Sequence, residues 1–236
     1  MLRKIIQSKQ VIPLMTSLLT AAIVTPSQAA NVKLDTMGRI ISIEDIQLVE
    51  GGVEIPGNDF TFTVTSTYNI DFLFGTFNEI FGDPTQSGFN PSCNVGSGNG
   101  LCFWENNNRA LLFTHEINNT LNALNPIPSE VAGTVVNPPP PPISVNNISN
   151  FYRIPVNFNQ ENNQTNIVFY QGTHDSNLQE PWNSPQITLS AGSGAGTIYA
   201  SAELTSQEFT AEIPESSNLM GIVVTVGLMI LVTRKK

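Results

Sequence analysis

Cationic side chains are scarce in this chain, with ten lysines and arginines against nineteen aspartates and glutamates in 236 residues. Arg3, Lys4 and Lys9 stand near one end and Arg234, Lys235 and Lys236 at the other, so the body keeps only Lys33, Arg39, Arg109 and Arg153. All the acids lie between Asp35 and Glu215. A body so acidic repels phosphate backbones, which excludes nucleic acid as a partner; it suits contact with divalent cations or neutral sugars. Histidine is scarcer still. His115-Glu116 opens like a zinc-protease motif, but Asn119 occupies the place of the second histidine, and Leu111 to Ile117 reads as strand. His174 is the other histidine, and no metal site is expected from the pair. No serine has the G-x-S-x-G setting, because Val95 stands two residues before Ser97 and Ala191 two before Ser193. The glycine-rich loops precede no helix that would cradle a phosphate. No catalytic residue and no cofactor is therefore expected. Scattered carboxylates leave a secreted glycoside hydrolase open, since its acid pair need meet only in space.

Cysteine is limited to Cys93 and Cys102, separated by a turn-rich stretch from Asn94 to Leu101. Without C-x-x-C spacing or further ligands, the pair reads as a local disulfide in an exported chain rather than a metal or redox centre. Closing so small a loop stabilises by about 2–3 kcal/mol in the chain-entropy account.

What the chain has in abundance is alternation of period two. Phe60, Phe62 and Val64 alternate with threonines, and Tyr152, Ile154, Val156 and Phe158 with Arg153, Pro155, Asn157 and Asn159. Ile198, Ala200, Ala202 and Leu204 do the same, as do Phe209, Ala211 and Ile213. Such segments are half-buried strands. Leu111-Leu112-Phe113 and Ile167-Val168-Phe169-Tyr170 are denser runs suited to central strands. Pro155 lacks an N–H, which predicts a sheet edge or a bulge. Turn signals recur at Gly51-Gly52, Gly57-Asn58-Asp59 and Gly192 to Gly196, and no long amphipathic helix stands out. The expected fold is all-β, an antiparallel β-sandwich of jelly-roll type over residues 30–213. Pro138 to Pro142 must be extended, either as a stiff loop or as a hinge between two smaller units.

Two candidate binding features suit an acidic sandwich. Glu50-Gly51-Gly52-Val53-Glu54, continuing to Asn58-Asp59, offers hard oxygen ligands for calcium, with a solvated turn as the alternative. Trp104, before Glu105-Asn106-Asn107-Asn108, and Trp182, within Pro181-Trp182-Asn183, are candidate glycan contacts, with ordinary packing as the alternative.

The two ends carry address signals. Arg3, Lys4 and Lys9 precede an apolar stretch from Val11 to Val24 and then Ser27-Gln28-Ala29, the layout of a secretory signal peptide over 1–29 cleaved near Ala30. Pro13 and the short apolar run argue against an N-terminal anchor. At the other end, Pro214-Glu215-Ser216 leads to an apolar run over 219–232 and then Arg234-Lys235-Lys236, held on the cytoplasmic side by the positive-inside rule. At 1.5 Å per residue that run spans about 21 Å, against a hydrocarbon core of about 30 Å. It suits a temporary membrane stop better than a permanent anchor. Residues 214–236 resemble the PEP-CTERM sorting signal, departing from it at Ser216, where the family usually has a second proline. The resemblance implies export through the inner membrane of a Gram-negative bacterium and processing by signal peptidase and an exosortase-like membrane protease. It also implies a final place at the cell surface or in extracellular polysaccharide, and it carries no activity to residues 30–213.

Overall fold

The computed structural model describes residues 30–54, 61–96, 100–137, 147–161, 164–184, 189–192 and 196–212. The strands in chain order are β1 (Asn31–Leu34), β2 (Ile40–Glu54), β3 (Thr61–Gly75), β4 (Val131–Ala132), β5 (Thr134–Val135), β6 (Ile148–Ser149), β7 (Phe151–Glu161), β8 (Gln164–His174), β9 (Trp182–Asn183), β10 (Leu189–Gly192) and β11 (Thr197–Glu212). Two helices among the described residues, α1 (Phe77–Phe81) and α2 (Asn107–Asn122), fall between β3 and β4. The strands join one curled, mixed sheet in the order β10-β8-β7-β11-β3-β2-β4-β6, with β1 on β2, β5 on β3 and β9 on β8.

Alternation builds the long strands as expected. In β3, Val64, Ser66, Tyr68, Ile70 and Phe72 are buried while the residues between them are not. The same pattern runs through β11, where Ile198, Ala200, Ala202 and Leu204 face the main core. In β2 the register shifts between Ile43 and Ile46, where Asp45 has φ 60° and its N–H donates to Asn69 Oδ1 at 3.2 Å. The bulge keeps Ile40 and Ile43 on the same inner face as Ile46 and Leu48. Pro155 also sits at a register shift, between Pro155 and Asn157 on the β8 side, so β7 takes the bulge and not the edge. Ile167 to Tyr170 lies in β8, paired on both sides, with alternate residues packed into opposite clusters.

Two sequence expectations are corrected. The strand-rich body is found, but a single sheet with parallel pairs, β11 with β7, β2 with β4 and β3 with β5, stands where two antiparallel sheets of a sandwich were expected. The cover over the inner face is a helix. Leu111 to Ile117 belongs to α2 rather than to a strand. Asn106 caps the helix, its Oδ1 accepting from Arg109 N at 3.1 Å, and Ala110, Phe113, Thr114, Ile117, Asn118 and Leu121 form its buried stripe. That stripe packs against β2 as well as β7 and β8, which lie well apart in the strand order, so the sheet bends around it. Phe103 and Phe113 meet there at 4.3 Å between ring centroids. Residues 55–60, 97–99, 138–146, 162–163, 185–188 and 193–195, with the terminal segments 1–29 and 213–236, lie outside the described residues. So do the start of the Phe60 alternation, the proline run, Ile213, the signal peptide and residues 214–236.

Candidate functional site

The opposite, outer face of the sheet carries a second cluster. Its buried residues are Phe77, Leu101, Ile167, Phe169 and Tyr199, with Phe81, Phe89, Trp104 and Phe158 partly buried against them. Thr76 positions α1, since its hydroxyl accepts from Glu79 N and the Glu79 carboxylate accepts from Thr76 N, a reciprocal cap that lays Phe77 and Phe81 onto the sheet. Phe81 meets Tyr199 edge to face at 5.6 Å between centroids. Trp104 stands 5.2 Å from Phe89 and is stacked at 6.3 Å on Phe158.

The loop bearing Trp104 is fixed by a gap in the sheet. β7 and β11 pair only at Arg153 and Tyr199, and beyond that point the loop takes the place of a partner strand. Leu101 bridges to Ala202, and Glu105 N donates to Val156 O at 2.6 Å. Side chains of this loop divide between the two clusters, with Leu101 and Trp104 going to the outer one and Cys102 and Phe103 to the inner one. The chain crosses from the outer face, where α1 lies, to the inner face, where α2 lies, through this loop. Gly100, at φ 72°, lies so close to Ser201 that an added Cβ would overlap the serine hydroxyl. Glu105 holds φ 61°, a conformation non-glycine residues adopt at a cost, directly after Trp104. The expected disulfide is present: Cys93 and Cys102 are joined, with Cα atoms 4.6 Å apart, and the bond ties the loop where it enters the gap.

Charge on this face is unusual. Of the four cations in the body, Lys33 pairs with Glu44, Arg39 lies 2.6 Å from Asp35, and Arg109 Nε lies 2.9 Å from Glu50, out of line for a hydrogen bond. Arg109 Nη2 also donates to Ser66 Oγ and Tyr68 OH, at 3.0 and 2.8 Å. Arg153 alone of the four has no carboxylate among the described residues. Its guanidinium carbon stands 4.2 Å from the centroid of Phe169 and 5.0 Å from that of Phe151, while Nε donates to Gln171 Oε1 at 3.2 Å. Burial lowers its pKa from the ordinary value, partly opposed by Tyr199, and it remains a cation at neutral pH. The Tyr199 phenol is fully buried and its hydroxyl has no hydrogen-bond partner among the described residues. Burial pushes its pKa up to about 12, with the Arg153 charge pulling the other way.

The candidate residues thus separate. Trp104 joins the outer aromatic cluster and keeps partial exposure. Trp182 does not: it is 1% exposed, packs on Tyr152 and His174, and its indole N–H donates to Pro128 O at 2.7 Å, so no ring face is left for a sugar. His115 and Asn119 are exposed on α2. Among the described residues no three His, Cys, Asp or Glu side chains gather to hold a metal, and the calcium-loop candidate runs from Glu50 into residues outside the description. Pro214, Glu215, Ser216, Arg234, Lys235 and Lys236 also lie outside it. Sequence reading passed over Arg153 and Tyr199 as ordinary members of alternating strands. The scarcity of cations was the signal that marks Arg153. Comparison with protein-family models, with characterised proteins and with solved structures finds no match to this chain.

Proposed function

We propose that this is a non-catalytic surface or matrix protein, exported through the inner membrane of a Gram-negative bacterium. Signal peptidase cleaves near Ala30, the segment 219–232 halts in the membrane, and an exosortase-like protease processes the chain near Glu215. The folded body is then released to the cell surface or the polysaccharide layer. The observation that carries this reading is the Cys93–Cys102 disulfide, which belongs to an oxidising compartment and agrees with the address signals at both ends. Among the described residues no helix is long and apolar enough to cross a membrane, and 219–232 is not among them. Intact mass of the mature protein in membrane and extracellular fractions tests the reading. A species from about Ala30 to about Glu215 outside the membrane is expected; one that keeps Arg234-Lys235-Lys236 and stays in the membrane overturns the processing step.

A glycan-binding module is the second reading, favoured by the partly exposed rings of Phe89, Trp104 and Phe158 on one face. Such rings stack on the apolar faces of sugars. Retention on polysaccharide that disappears in Trp104→Ala supports it, and no retention of the unaltered protein removes it.

A further inference from the structure

We propose that Arg153 and Tyr199 form a binding site for a carboxylate, on the outer face where β7 and β11 meet. Three observations meet at this point. The body over residues 30–213 holds eighteen of the nineteen acids and four cations, and three of those cations are matched with carboxylates of the chain itself. In so acidic a protein an arginine finds a partner easily, yet Arg153 has none among the described residues. The second observation is its orientation. Contact with Phe169 and Phe151 and the Nε bond to Gln171 fix the guanidinium plane, and its terminal nitrogens make no hydrogen bond with the described residues. A planar donor fork held in place this way is preorganised for a two-oxygen acceptor. The third is the cross-strand partner. Tyr199 pairs with Arg153 in register, is fully buried, and carries an O–H with no acceptor among the described residues. Buried hydroxyls are normally satisfied, so an orphan beside an unpaired cation marks an acceptor that comes from elsewhere.

The ligand chemistry follows from the surroundings. One cation and one neutral donor match a single negative charge, whereas a phosphate dianion would leave charge unmatched in a strongly acidic body. Phe81, in contact with Tyr199, and Phe169 and Phe151, in contact with Arg153, surround the two groups with apolar rings. A carboxylate attached to a small apolar or sugar-like body fits this setting. Its source is either a free small acid or an acidic residue on a polysaccharide. The inference stands on the geometry of this face and not on the export address.

Titration calorimetry on the full chain with its disulfide intact tests the proposal, using glucuronate, its methyl ester, inorganic phosphate and a glucuronate-containing polysaccharide as probes. Saturable binding of glucuronate is expected, with the ester and phosphate bound at least about tenfold more weakly, the scale of one charge-assisted hydrogen bond. Arg153→Gln should abolish it, and Tyr199→Phe, which keeps the ring, should weaken it about tenfold. If Arg153→Gln fails to fold, Tyr199→Phe carries the test. Equal affinity for monosaccharide and polymer, counted per carboxylate, identifies a free-acid site; binding of the polymer alone that still requires Arg153 and Tyr199 identifies a polysaccharide source. Absence of binding by every carboxylate, equal binding of the ester or phosphate, or indifference to both variants overturns the proposal.

Discussion

At the scale of single residues, close approach decides more than composition does. Gly172 pairs with Tyr152 across β7 and β8, and a Cβ on it would overlap the Tyr152 ring. That ring is immobile for a reason on the other side of the core: its hydroxyl donates to Asn118 Oδ1 at 2.7 Å, and Asn118 Nδ2 in turn donates to Ser184 Oγ at 2.7 Å. Displacing it would strain the sheet or leave buried polar atoms without partners. Gly172→Ala should therefore cost about 1–3 kcal/mol of stability, read as a lower denaturant midpoint with an unchanged slope. An unchanged midpoint would mean that Tyr152 moves freely. Nothing in the local sequence Tyr170-Gln171-Gly172-Thr173 discloses this requirement, because the atoms that impose it come from the neighbouring strand.

Among the elements, α2 shows why a pattern can be hidden. Its inward stripe includes the polar residues Thr114 and Asn118, while Leu112 is 48% exposed, so the apolar signal of the stripe is blurred. The interior satisfies those polar groups: Thr114 Oγ1 donates back to Ala110 O at 2.7 Å, and Asn118 joins Tyr152 and Ser184. The cap at Asn106, whose Oδ1 accepts from Arg109 N at 3.1 Å, fixes where this helix starts. Asn106→Ala should destabilise the protein by about 1 kcal/mol, and the loss should appear as faster amide hydrogen exchange confined to the first turn of α2 under native conditions. Exchange accelerated evenly through the molecule would show that the cap supports the whole fold. The long strands were legible for the opposite reason. In β3, β7 and β11 the core face is mostly apolar and the outer face mostly polar, and no partner is needed to recognise the period.

For the whole molecule, the two-sided burial of one sheet leaves a signature in alkali. Burial raises the pKa of Tyr68, partly offset by Arg109, raises that of Tyr152 well above 10.0, and pushes that of Tyr199 to about 12. A raised pKa in the folded state means that these phenols contribute full stability below the unfolded value of 10.0. Between that value and about 12 the unfolded chain ionises first, so stability falls as pH rises. Alkaline titration should show phenolate absorbance from these three residues growing in step with the loss of circular dichroism. Ionisation near 10 with the fold intact would show that the phenols are open to water.

The amino-acid sequence alone determined the alternating strands β3, β7 and β11 and the dense run in β8, the acidic balance of the body and the cysteine pair, because each is set by local periodicity, by counting or by short spacing. It also marked Pro155 for a sheet edge or a bulge, since a missing N–H is a local fact, and the interior place of β7 decided for the bulge. The tertiary structure alone decided that a helix rather than a second sheet covers the inner face. Half-burial of a strand is the same in its sequence whichever element supplies the cover. The fate of the two tryptophans was decided there too: both sit among polar neighbours in sequence, but Trp182 is taken into the core by contacts with Tyr152 and His174, while Trp104 stays at the outer rim. The pairing of Arg153 with Tyr199 joins residues far apart in the chain, and only the meeting of β7 with β11 sets side by side a cation with no carboxylate and a hydroxyl with no partner among the described residues.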